Sequence, residues 1–242
     1  YISLLLLEQL TASQAITSEE FKTYYDALDS TLKTTKKGKE LAEKLATMEK
    51  VAVGKMAPDF SAPNPEGKMV SLKESLGKVT IIDFWAAWCG PCRQENPNIV
   101  ALYNKYKDQG LAIIGVSLDK DAESWKKAIA DDNLTWTQVS NIKHWQDPIA
   151  KEYNVQSIPA MFVLDASGKM KISGLAKPKT EDFGTYKHLT YNMKAVGDFS
   201  QVHAFVQAWK GSPLRVGIRR AVLERQGKDI SATFVLDVFA KP

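Results

Sequence analysis

Both cysteines of this 242-residue chain fall in one stretch, DFWAAWCGPCRQENP at 83–97. The apolar, β-branched run KVTIIDFWA leads into the pair, and from Gly90 onward Ile99, Leu102, Tyr103 and Tyr106 share one helical face. A buried strand that feeds directly into a helix is the first half of a β-α-β unit, so this junction commits the chain to an α/β layer with a central sheet. The downstream pattern agrees. LAIIGVSLD is a second buried strand, DAESWKKAIADD a helix and LTWTQVS a third strand. DPIAKEYNV is a short helix opened by Pro148, and AMFVLDASGKMKIS is a hairpin turning at Ser167-Gly168.

The flanks read differently. Residues 1–50 form a helical prefix, with Thr17 and Glu20 placed for a capping box and Leu41, Leu45 and Met48 on one apolar stripe. GKMAPDFSAPNPEGKMVSL, dense in Pro, Gly and Asn, reads as loops and a short hairpin. After Ser173 the texture changes. Residues 1–187 carry 23 Lys and one Arg, whereas 188–242 carry four of each. GLAKPKTEDFGTYK has no periodicity, so 176–187 is expected to be a linker between a 51–175 domain and a 188–242 domain. In that last segment Leu189, Tyr191, Met193 and Ala195 alternate. Val202, Phe205, Val206 and Trp209 then follow a helical period, and two strands flank QGKD. The pattern is a β-α-β-β unit, half of a ferredoxin-like sandwich. The shift in residue usage marks it as a fused unit; varying usage within one natural protein is the competing explanation.

Charge excludes some functions. A net charge of +4 and a pI near 8.8, with no basic stripe beside aromatics, do not describe a nucleic-acid binder. No apolar run approaches the ~20 residues that span a bilayer. YISLLLLEQL resembles a signal core, but it has no basic start and Glu8 interrupts it. Because the sequence lacks an initiating Met, the chain is expected to begin inside a longer protein, with any signal or membrane tether upstream.

Two thiols three residues apart are a poor staple, because the loop they would close is nearly nothing. They are also a poor zinc site, because His144, His188 and His203 offer no second ligand pair. A redox dithiol remains. At the helix start, free N–H groups and the helix dipole favour a thiolate at Cys89. Cys89 is expected to be exposed and to attack a substrate disulfide. Cys92, one turn inside, is expected to resolve the mixed disulfide. Gly90 and Pro91 contribute no charge, which leans the pair toward reduction. Arg93 and Glu95 read as solvated helix charges, with an influence of Arg93 on the local potential as the alternative, and His203 as structural.

At these residues the chain resembles the thioredoxin superfamily. Asp83 stands six residues before the first cysteine, Trp88 immediately ahead of it and Pro97 five after the second. QSIPAMFVLD resembles the second signature of the superfamily, and MAPDFS with the extra helix DAESWKKAIADD is closer to its TlpA/ResA branch. The resemblance covers about 51–175. It implies a thioredoxin-like fold with a mixed central sheet, and a thiol-disulfide oxidoreductase that needs no cofactor or metal. It further implies disulfide-bonded protein substrates, an upstream dithiol donor and a place on the periplasmic side of a cell envelope. By the same resemblance Cys89 and Cys92 are the catalytic pair, and Trp88, Pro91, Ile158 and Pro159 contact substrate. The Ile158–Pro159 bond is expected to be cis and to lie against the dithiol. Asp83 is either a hydrogen-bonded structural acid or the proton acceptor for Cys92, its pKa raised by burial. One departure stands out: no amphipathic helix follows GKMKIS, where the superfamily closes its fold.

Two other readings compete. A peroxiredoxin-type peroxidase shares the APDFS stretch and the extra helix, but this chain lacks the Thr-x-x-Cys motif of that family. A non-enzymatic envelope scaffold rests on the faint likeness of 188–242 to pilus and secretion-system domains.

Overall fold

The computed structural model describes the backbone of residues 2–12, 16, 18–176, 179–182, 187–197, 215–226 and 229–240, and side chains of 2–11, 16 and 18–172. Four helices open the chain: α1 (Ile2–Ala12), α2 (Ser18–Asp26), α3 (Ser30–Thr34) and α4 (Lys36–Lys50). They enclose a small core of their own, formed by Leu4, Leu7, Phe21, Leu41 and Leu45, with Met48 packed against it. Thr35 caps α4 by accepting from the Gly38 N–H at 3.0 Å. Glu20 lies in the first turn of α2, while Thr17 lies outside the described residues.

A short hairpin, β1 (Ser61–Pro63) and β2 (Met69–Ser71), leads into β3 (Val79–Trp85) and then α5 (Gly90–Tyr106). The chain continues through β4 (Leu111–Ser117), α6 (Ala122–Asp131), β5 (Thr137–Val139), α7 (Pro148–Glu152), β6 (Ala160–Asp165) and β7 (Met170–Ala176). The sheet order is β5-β4-β3-β6-β7. β3 pairs parallel with β4, and β4 with β5, whereas β6 runs antiparallel to both β3 and β7. The crossover α5 is what lets β3 and β4 run parallel. The expected mixed central sheet is therefore present, with β3 in the middle.

Because side chains alternate along a strand, β3 serves two layers. Ile82 and Phe84 face one of them. There Phe84 meets Tyr153 at 5.6 Å and Phe162 at 5.7 Å, and Phe60 joins Tyr153 at 5.9 Å between ring centroids. Asp83 and Trp85 face the other.

Past β7 the structure departs from expectation. The stretch read as a linker contains β8 (Lys179–Asp182), which pairs antiparallel with β9 (Lys187–Gly197). Backbone pairing alone places β8 at a sheet edge, and an edge strand needs no apolar alternation, which is why periodicity missed it. β10 (Arg215–Gln226) and β11 (Asp229–Ala240) complete a sheet of order β10-β11-β9-β8. Since β11 is antiparallel to both β9 and β10, those two run parallel with β11 between them, the strand arrangement of a split β-α-β unit. The helix expected from Val202 to Trp209 lies outside the described residues.

Candidate active site

The strand-to-helix turn after β3 is clamped from the end of β4. The Ala87 N–H donates to both Asp119 carboxylate oxygens at 3.0 and 3.2 Å, and the Ser117 hydroxyl donates to Asp119 Oδ2 at 2.7 Å. The Leu118 N–H donates to the Trp85 carbonyl at 2.9 Å. These bonds fix where the chain leaves the sheet and so where α5 begins.

Cys89 is the N-cap of α5. Its sulfur accepts from the Cys92 N–H at 3.2 Å, with Pro91 in the first turn. A sulfur in that position sits at the positive end of the helix among unpaired N–H groups, a setting that stabilises a thiolate. The two cysteines form a disulfide with Cα atoms 5.3 Å apart. The expectation that Cys89 is exposed does not hold in this oxidised state: Cys89 is 4% exposed and Cys92 2%. The outer surface falls to Trp88, Gly90 and Pro91.

Asp83 is buried at mid-sheet, flanked by Gly115 on β4 and Met161 on β6. Burial pushes its carboxyl up to about 7 from 3.8, with a smaller push from the Glu95 carboxylate on α5. Asp83 Oδ1 has no hydrogen-bond partner among the described residues. Ile158 packs against the core that contains both cysteines, and the Ile158–Pro159 peptide bond is cis.

Trp88 is 48% exposed and its indole N–H donates to the Leu118 carbonyl at 3.3 Å. Two residues that the sequence did not single out for the site complete an aromatic surface around it. His144 lies over Trp88 with ring centroids 5.0 Å apart, and Trp145 meets Trp88 edge-on at 6.1 Å. They come from a loop in which Ile142 and His144 both have positive φ, 54° and 52°. A β-branched residue in that conformation is uncommon enough to mark a constrained loop. The only sequence signal was the aromatic pair His144-Trp145 inside a polar stretch.

Arg93 is not a solvated charge. Its guanidinium makes a two-pronged contact with Asp132, through Nε and through NH2 at 2.7 Å, and NH1 donates to the Ala87 carbonyl at 3.4 Å. Asn96 Nδ2 donates to the same Asp132 at 2.6 Å, tying α5 to the end of α6. Among the described residues no group of three or more His, Cys, Asp or Glu side chains is arranged to hold a metal ion. No helix of the described residues is long and apolar enough to cross a membrane.

A family model described as the AhpC/TSA family matches residues 53–173. The thiol-disulfide oxidoreductase ResA of Bacillus thuringiensis is 36% identical over 122 residues, which are 50% of this chain and 69% of the relative. The thioredoxin-like protein YneN of Bacillus subtilis is 38% identical over 118 residues, 48% of this chain and 66% of the relative. The thioredoxin domain of a thiol-disulfide oxidoreductase from Bacteroides vulgatus is 38% identical, covering 49% of this chain and 85% of that domain, with a TM-score of 0.46.

Proposed function

The chain belongs to the AhpC/TSA family and is a thiol-disulfide oxidoreductase similar to ResA, and on that premise we propose that it reduces disulfide bonds in other proteins through Cys89 and Cys92. The observation that carries this reading is the pair's placement: Cys89 caps α5, Cys92 follows one turn inside, and a buried carboxyl of raised pKa lies in the strand that leads to them.

In the reduced enzyme the Cys89 thiolate attacks one sulfur of a substrate disulfide. The substrate bond breaks, its other sulfur leaves as a thiolate that takes a proton from water, and Cys89 is joined to substrate. Cys92 then loses its proton to the Asp83 carboxylate and attacks the Cys89 sulfur. The mixed disulfide breaks, the second substrate sulfur leaves as a thiolate that takes this proton back from Asp83, and the Cys89–Cys92 disulfide remains. An upstream dithiol donor returns two electrons and two protons. Trp88 and Pro91 form the outer contact surface for the substrate, and Ile158 and Pro159 contribute further substrate contacts. No cofactor enters these steps.

The catalytic unit is residues 51–175, preceded by the 1–50 prefix, and the segment from 188 onward lies outside the chemistry. The enzyme works in an oxidising compartment, on the periplasmic side of a cell envelope, where protein disulfides occur. A peroxidase is not favoured, since no Thr-x-x-Cys motif is present and the curated relatives are a thiol-disulfide oxidoreductase and a thioredoxin-like protein. The scaffold reading is likewise not favoured. Insulin reduction with dithiothreitol as donor tests the proposal. Wild type should accelerate precipitation of the insulin B chain, and Cys89→Ser should abolish the acceleration. Activity retained in Cys89→Ser would refute it.

A further inference from the structure

Buried polar atoms nearly always find a partner, so two that do not, in the same row of one sheet, need an explanation. They are Asp83 Oδ1 and Gln138 Nε2. Asp83 on β3 pairs with Gly115 on β4, and Gly115 pairs with Gln138 on β5. Register partners project from the same face, so the three form one transverse row. Gly115 contributes no side chain to it. A Cβ at that position would meet Gln138 Oε1 at 2.1 Å, Cδ at 2.7 Å and Nε2 at 2.8 Å. The Gln138 carboxamide therefore occupies the space that a side chain at 115 would fill, on the way to Asp83.

The amide's orientation is also fixed. Trp85 Nε1 donates to Gln138 Oε1 at 3.0 Å. An indole N–H can only donate, so the amide oxygen must face it and the NH₂ must face away. Gln138 is itself 3% exposed.

We propose that Gln138 is a positioning residue for Asp83: its amide NH₂ is the donor that receives the Asp83 carboxylate whenever that acid is ionised. Trp85 holds the amide in place, and Gly115 keeps the row open between them. This rests on the reading above, in which Asp83 must be ionised before it takes the Cys92 proton. A donor to the charged form favours ionisation of a desolvated carboxylate and so lowers its pKa. Among the described residues nothing else donates to Asp83 Oδ1. Gly115 and Met161 flank it on β4 and β6 without titrating, Glu95 on α5 repels its charge, and the thiols of Cys89 and Cys92 are to be deprotonated themselves.

The test is carbon-detected NMR of the Asp83 carboxyl in the full, oxidised chain, titrated from pH 4 to 10. In Gln138→Met, which keeps the volume and removes the donor, the Asp83 midpoint should rise by about one to two pH units, the value of a hydrogen bond to a charged group. A midpoint equal to that of wild type overturns the proposal, whatever the variant does to stability. A second measurement needs no substitution at 138. In wild type the Gln138 side-chain amide resonances should titrate with the Asp83 midpoint, and in Asp83→Asn they should be flat. Amide resonances that ignore pH in wild type overturn it as well. If the midpoint moves in Gln138→Met while the pH profile of insulin reduction does not, Gln138 positions Asp83 as proposed and the proton role of Asp83 in turnover is what fails.

Discussion

Asp83→Asn isolates what burial of a carboxyl does to this fold. The folded carboxyl titrates near 7, well above the 3.8 of the free group, because ionising it inside the sheet strips its hydration. The sign follows from proton counting. Between about pH 4 and pH 7 the folded chain still holds a proton that the unfolded chain has released, so wild-type stability falls as pH rises through that window and is level on either side. At ~1.4 kcal/mol per pH unit the whole effect is ~4 kcal/mol, an upper figure because the sheet relaxes around the charge and a Gln138 amide that donates to the carboxylate lowers the midpoint. Asparagine keeps the shape and cannot ionise, so the variant should lack this slope. Guanidinium unfolding of the oxidised proteins at pH 4 and pH 8 measures it. The variant's advantage over wild type should grow by ~4 kcal/mol or somewhat less between the two pH values. Parallel curves would refute the reasoning, since they require a carboxyl with an ordinary pKa. In turnover, the same variant should slow the Cys92 step by about 10²-fold, with mixed disulfide at Cys89 accumulating.

Mild alkylation of the reduced protein at neutral pH, read by peptide mass mapping, should label Cys89 before Cys92, because only Cys89 caps the helix; equal rates would remove the nucleophile assignment. Arg93→Ala strips the guanidinium from Asp132 and should lower stability by ~1–3 kcal/mol in a denaturant titration, and Lys should not restore it, since it cannot make the two-pronged contact. Trp88→Ala should raise KM for a protein disulfide by about 5-fold or more while leaving a small disulfide substrate little affected. A chain ending after Ala176 should still reduce insulin; if it does not fold, the later strands belong to the catalytic unit.

What could be read in advance was local. The β3–α5 junction is written in consecutive residues: a β-branched run, then a cysteine where a helix starts. The hairpin at Gly168 is equally local, its φ of 81° being of the kind glycine supplies. Contacts between distant segments were not legible. His144 lies against Trp88, 56 residues earlier, and neither pattern nor composition brings them together. Asp132 took Arg93 from an ordinary-looking helix charge to a tie between α5 and α6. The Gln138 amide fills the space over Gly115 only because β5 pairs with β4 in one register, and a shift of one residue would send that side chain to the other face. The burial of Cys89 is likewise not legible: the expectation describes a free thiol, whereas in this structure Cys89 is bonded to Cys92.

The reduction potential of Cys89–Cys92, measured by equilibrating the full chain against glutathione and dithiothreitol buffers, bears most directly on the claim that this dithiol donates electrons. With Gly90 and Pro91 between the cysteines and a buried acid rather than a cation in the adjoining strand, the value should lie near that of thioredoxin, about −270 mV. A value near about −120 mV, that of a strong disulfide donor, would make the protein an oxidant and contradict it.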